Sequence, residues 1–216
     1  MLFYLLSYPL LGAGIKYIDD AFDETNLSKK LAYILAPVLG LLWAYTMIVD
    51  PVSATILLAV LLGVFLKGKI DNLAHLAGLL VILAIVFLAG IELLYIPLIV
   101  LTVAALLDEI GNDLIDKQRN TLTDGKLIHK AVLTFFDRRW TMKAAMLVLV
   151  GLNVIPWFFF VAMLFFDEAY LLMRWYSETG QTLIREHITT LRVTVKNAFS
   201  TQKPLQTRPS GVDSSA

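Results

Sequence analysis

The chain has 216 residues, 58% of them apolar and 17% charged, with 18 Lys+Arg balanced by 18 Asp+Glu. Soluble domains average roughly 45–50% apolar and about 25% charged residues, so this composition, with a mean hydropathy of +0.72, points to a bilayer rather than to water. Zero net charge excludes a basic nucleic-acid binder, and the absence of cysteine excludes disulfide frameworks, thiolate-ligated metals and thiol catalysis.

A hydrocarbon core of about 30 Å needs about 20 apolar residues per helix. In chain order the apolar runs are 1–15, 31–49, 52–66, 76–91, 93–107 and 144–166. None shows the one-sided stripe of a surface helix or the alternation of a barrel strand. The expected fold is therefore all-α, a polytopic transmembrane helical bundle of about six spans over residues 1–166. The first run has no basic residue before Lys16, unlike a signal peptide, so it is expected to be an uncleaved helix with its N-terminus outside. The runs 1–15, 52–66 and 93–107 cover only about 22 Å of helix. Either the bilayer thins there or the helices continue into their polar flanks, whose charges would then face the bundle interior.

Basic residues alternate between connections. Lys16, Lys29 and Lys30 come after the first run, Lys67 and Lys69 after the third, and Lys117, Arg119, Lys126, Lys130, Arg138, Arg139 and Lys143 after the fifth, while the connections at Asp50-Pro51 and Glu92 carry none. The positive-inside rule places the three basic loops in the cytoplasm. If 144–166 crosses as one helix, the basic C-terminal part ends outside. A re-entrant turn at Pro156 would return it to the cytoplasm, and the sequence leaves both open. Residues 167–199 read as an amphipathic helical segment, with Ile184, Ile188, Leu191 and Val195 at helical spacing. It suits a membrane interface or a packed surface, and Gly180 is expected to divide it. Residues 200–216 have the composition of a disordered tail.

The basic loops also hold most of the acids. Asp19, Asp20 and Asp23 form D-D-x-x-D, which on a helix shares one face with Lys16. Glu109, Asp113 and Asp116 fall at i, i+4 and i+7, beside Asn112 and with Asn120 one turn on. Gly68 lies between Lys67 and Lys69, a pairing suited to an anion. Like charges at such spacing repel, more so at the lower dielectric near a membrane, and a divalent cation relieves the repulsion. Oxygen ligands without His or Cys favour Mg²⁺. Two acidic clusters plus lysines thus describe a site for Mg²⁺-bound diphosphate, in which Lys67 and Lys69 contact the anion. The bland alternative is ordinary solvated loop charge. His75 reads as a hydrogen-bonding residue at a helix end, and residues 157–160 as a lipid-facing or helix-contacting aromatic stretch.

At these residues the chain resembles the UbiA superfamily of intramembrane prenyltransferases. Asn112-Asp113-Leu114-Ile115-Asp116 matches the first five positions of that family's N-D-x-x-D-x-x-x-D motif, with Asn120 at the last position, and Asp19, Asp20 and Asp23 are loosely similar to its second Asp-rich cluster. The segment 127–150, with Asp137-Arg138-Arg139 before an apolar helix, is similar to the stretch that comes after an Asp-rich motif in the family. The family is longer, with about nine helices. The resemblance implies Mg²⁺-dependent transfer of a prenyl group from a prenyl diphosphate to a lipophilic acceptor. It implies Asp113 and Asp116 on Mg²⁺–diphosphate, supported by Asn112, and Asp19, Asp20 and Asp23 on a second metal. Two other readings stay open: a small transporter or channel, for which Glu92 would matter, and a non-catalytic membrane scaffold working through residues 170–199.

Overall fold

The computed structural model describes residues 1–23, 27–68, 73–122, 131–132, 134–135 and 138–200, with side chains described except at 115–116, 118–122 and 181–200. Within these residues the protein is all-helical, with α1 (Leu2–Asp23), α2 (Lys29–Val49), α3 (Pro51–Leu66), α4 (Leu73–Ala89), α5 (Tyr95–Leu122), α6 (Trp140–Gly151) and α7 (Trp157–Ser200).

Local sequence sets the helix ends. Ser28 caps α2 by accepting from the Leu31 amide at 3.4 Å. Asp50 caps α3, its Oδ1 accepting from Val52 and Ser53 at 2.8 and 3.1 Å, with Pro51 in the first turn, where a missing N–H costs nothing. The apolar run 144–166 is not one helix. Residues 152–156 interrupt it, with Asn153 at φ 58° and Pro156 unable to continue the α6 ladder. The chain turns at 152–156 instead of continuing as one helix. Gly180, in contrast, does not divide the last segment, because α7 runs through it to Ser200. A mid-helix glycine costs only about 1 kcal/mol, which the packing of α1 along α7 readily offsets.

Successive helices run antiparallel, so two ends can be named. At the N-terminal end, where α1, α3, α5 and α7 begin, the Tyr8 hydroxyl and Ser53 Oγ lie 3.1 Å apart and the Leu94 amide donates to Thr55 Oγ1 at 3.0 Å. The opposite, charged end gathers the ends of α1, α3 and α5, the starts of α2, α4 and α6, and the middle of α7. Helix α1 packs mainly on α7 and α2, α2 on α4, and α3 on α5. The core holds Tyr8, Leu11, Met47, Ile56, Leu57, Leu101, Met146, Phe159 and Phe166.

Close helix approach depends on small residues. A Cβ at Gly12 would fall well inside van der Waals contact distance of the Phe166 carbonyl oxygen, and one at Gly40 would lie 2.8 Å from the Gly78 carbonyl oxygen. Small residues that let backbones approach are the device by which helices associate where lipid leaves no hydrophobic drive between them. The outside is correspondingly apolar. In α4 only Ala74 and Ile82 are buried, while Phe87 and Leu88 are 88% and 83% exposed and Ile96 and Ile99 on α5 are 76% and 64% exposed. Among the described residues, two helical stretches, Lys29–Val49 and Tyr95–Leu114, are long and apolar enough to cross a membrane; α3, α4 and α6 are shorter apolar helices.

Gly12→Ala is expected to lower stability by about 1–3 kcal/mol through overpacking against the α7 backbone. Gly151→Ala, where an added Cβ meets nothing within 4 Å, should stay within about 0.5 kcal/mol of the parent. Denaturant unfolding of both variants in detergent checks the contrast.

Candidate functional site: an ionic and apolar cavity at the charged end

A cavity of about 460 Å³ opens among α1, α2, α3, α4, α5 and α7, within the size range of small-molecule sites. Its lining tracks helix direction. On α4 it runs from Ala74 to Ile82, eight residues or about 12 Å of rise, and on α2 from Ala36 to Trp43. The floor is apolar, with Leu39, Trp43, Val60, Leu61, Ile82 and Phe166. Towards the charged end the wall becomes ionic, with Asp19, Asp20, Asp23, Glu109, Asp167 and Glu178 facing Lys16, Arg138, Arg139 and Arg174.

The ionic residues of α1 come from that helix's end and Arg138 and Arg139 from the approach to α6, whereas Glu109 lies inside α5 and Asp167, Arg174 and Glu178 inside α7. Helix α1 continues past its apolar run, which brings Lys16 and the aspartates to the charged end. Lys16 Nζ lies 2.7 Å from Asp20 Oδ1 and 3.5 Å from Asp19 Oδ2. Asp20 is buried, and its other oxygen accepts from Ser177 Oγ on α7. This link between residues 157 apart in sequence fixes α1 to the second half of the long helix.

The largest buried polar element joins α5, α6 and α7. Asp108, 1% exposed, accepts the Thr141 amide at 3.0 Å and the Met142 amide at 2.8 Å. It therefore caps α6 from another helix, a role normally filled from within the same segment. Arg139, just before α6, has φ 49° and no capping side chain of its own. Its guanidinium lies 3.0 Å from Glu109 Oε1 and 4.8 Å from the Tyr170 ring centroid. Burial alone would lower the Arg139 pKa, but Glu109, then Tyr170 and Asp167, outweigh it and hold the pKa above the ordinary value, so the cation persists. Lys143 and Asp167 form a buried pair at 2.8 Å, with side chains 3% and 5% exposed, and Lys143 also donates to the Arg138 carbonyl. Lys16 lies 5.4 Å from the same Tyr170 ring, so two cavity cations share one aromatic neighbour.

The residues singled out in sequence divide into three groups. Asp19, Asp20, Asp23, Glu109 and Asn112 line the cavity together, as does His75. Lys67 and Asp113 are drawn to each other instead, at 2.8 Å, and belong to its surroundings rather than its lining. Lys69 and the side chain of Asp116 lie outside the described residues. Sequence reasoning passed over Asp108, Lys143, Asp167, Tyr170 and Ser177. A signal existed for Lys143 and Asp167, one at each edge of the apolar run 144–166, because a charge so placed needs a partner within the bundle.

The expected Mg²⁺ can be tested against this donor set. Among the described residues no group of three or more His, Asp or Glu is arranged to hold a metal ion. Asp19, Asp20 and Glu109 are compensated by Lys16 and Arg139. A preformed resident metal centre is thus not what the arrangement presents, although the lining carboxylates outnumber the lining Lys and Arg by six to four.

The chain matches no protein-family model, no curated protein and no solved structure.

Two variants test the buried network. Asp108→Ala should cost about 1–2 kcal/mol, the upper range for a lost cap, and the Thr141 and Met142 amides should lose protection in hydrogen exchange. Lys143→Met should cost roughly 3 kcal/mol by leaving Asp167 buried without its ammonium partner, and adding Asp167→Leu should restore most of that loss in denaturant unfolding.

Proposed function

We propose that this protein is a multi-pass membrane protein whose cavity receives an amphiphile with a diphosphate-class headgroup, prenyl diphosphates being the class that the UbiA resemblance implies. The observation that carries this reading is the mixed lining of one cavity, in which six carboxylates and four Lys and Arg side chains adjoin an apolar floor of Leu39, Trp43, Val60, Leu61, Ile82 and Phe166. An amphiphile satisfies both levels at once, whereas a small polar solute would leave the floor uncovered and a hydrocarbon would strand the charges.

The apolar exterior supports the six-span reading. Large side chains such as Phe87 and Leu88 would be costly in water and are at home in lipid. By the positive-inside rule the charged end lies in the cytoplasm, so a water-borne headgroup enters there while the apolar part faces the bilayer interior. The phosphate oxygens would meet Arg139 and Lys16, with Arg138 and Arg174 nearer the mouth; guanidinium groups bind such oxygens in paired fashion. Because carboxylates are in excess, the diphosphate would bring its own countercation, Mg²⁺, for which Asp19, Asp23 and Asn112 are the oxygen donors at hand. Departure of diphosphate in a prenyl transfer would be eased by the same cations, and the floor would shield the apolar chain. A transporter reading finds less support, because Glu92 is exposed in the connection between α4 and α5, at the other end from the cavity.

Calorimetric titration of farnesyl diphosphate into the purified protein in detergent tests the proposal. Binding should be present with Mg²⁺ and weaker in EDTA. The paired variant Arg139→Gln with Glu109→Gln, which removes the cation together with the carboxylate it compensates, should weaken it by about 10-fold or more, the loss of a charge-assisted hydrogen bond. No binding by the parent protein under either condition would overturn the reading.

A further inference from the structure

The floor of the cavity contains a polar group that the chain itself does not satisfy. Trp43 is 3% exposed and lines the cavity, and its indole Nε1 is buried with no hydrogen-bond partner among the described residues. An indole N–H is a donor only, and leaving it unpaired at a buried site carries a desolvation cost. Its ring is held edge-on to Phe166, with centroids 6.2 Å apart, so the side chain is fixed by packing. The neighbouring floor residues Leu39, Val60 and Ile82 offer no side-chain acceptor. A lone water there would have few of the two to four polar partners that buried waters require. The nearby Thr46 hydroxyl donates to the Leu42 carbonyl at 2.6 Å and does not accept from the indole.

We infer that the Trp43 N–H is a ligand-binding donor, and that the molecule reaching the floor is an apolar compound carrying a hydrogen-bond-accepting oxygen, of the alcohol, ether or ester class. A prenyl chain has no such oxygen, so this ligand is distinct from the hydrocarbon of a prenyl diphosphate. The inference rests on the amphiphile-site reading for its setting and names the chemistry of the second, lipophilic molecule. A donor at the deep end would orient that molecule with its oxygen against Trp43, which fixes which part of it faces the ionic wall.

The experiment uses the 216-residue chain in detergent and two probes, dioctanoylglycerol, which is neutral and oxygenated, and farnesyl diphosphate. Trp43→Phe, which keeps an aromatic ring in the floor, should weaken dioctanoylglycerol binding by about 3- to 10-fold, the worth of a neutral hydrogen bond, and farnesyl diphosphate binding by a clearly smaller factor. The paired Arg139→Gln, Glu109→Gln variant should do the reverse. In indole-¹⁵N-labelled parent protein, the Trp43 resonance, identified by its loss in Trp43→Phe, should move downfield on adding dioctanoylglycerol. The shift itself is read in the parent protein, and the variant serves only for the assignment. If farnesyl diphosphate fails to bind while dioctanoylglycerol binds and shifts Trp43, the headgroup reading falls and this inference stands. Equal affinities for dioctanoylglycerol in parent and Trp43→Phe protein, equal weakening of both probes, or an unmoved Trp43 resonance would overturn it.

Discussion

The charged end of this bundle is organised around a carboxylate that never reaches water. Asp108 sits at the point where α5 leaves its apolar stretch, and it accepts the first amides of α6. Burying a carboxylate is tolerable only when its lone pairs are filled, and the unsatisfied amides at a helix start are the donors that lack partners. Each group cancels the other's cost. The joint fixes the start of α6 against α5, which sets Arg139 beside Glu109 and carries Lys143 to Asp167. That single contact thereby positions two cations and two acids of the charged end.

The second organising feature is the separation of levels along the helix axes. Apolar side chains fill the middle of the bundle and cover its outside, and ionised ones gather where α1, α3 and α5 end. Polar contacts tie helices together: α1 with α7 through the Asp20–Ser177 hydrogen bond, α3 with α5 through the Lys67–Asp113 ion pair, and α6 with α7 through the Lys143–Asp167 ion pair. A buried pair such as Lys143–Asp167 adds little net stability, because the cost of desolvating two charges offsets most of their attraction. The cavity is the remaining space inside this ring, and its polarity gradient is that of the bundle itself.

Much of this could be read from the residue order alone. The apolar runs gave the number and rough limits of the first five helices, because an unbroken run bounded by charges has few other uses. The clustering of Asp19, Asp20, Asp23 and Glu109 in basic connections marked the side chains that now line one cavity. The break at Pro156 is legible as one of two options, whereas Gly180 does not act as the divider its propensity suggests, because about 1 kcal/mol is small beside the long packing face between α1 and α7. Asp113 and Asn112 illustrate a different limit. They are neighbours in sequence, yet one turns to Lys67 and the other to the cavity, a choice set by what the facing helices present.

The sequence by itself determined that the chain is helical, apolar on almost every face, and charged where its apolar runs end, since those properties arise from composition and spacing. Only the tertiary structure decided which acid meets which base, that Asp108 caps a helix 33 residues away, and that Trp43 is left as a donor in an apolar floor. The reason is physical. Periodicity fixes which way a side chain points from its own helix, whereas pairing of buried charges and the shape of a cavity depend on how distant helices approach one another, at glycines such as Gly12 and Gly40 whose neighbours no local pattern reveals.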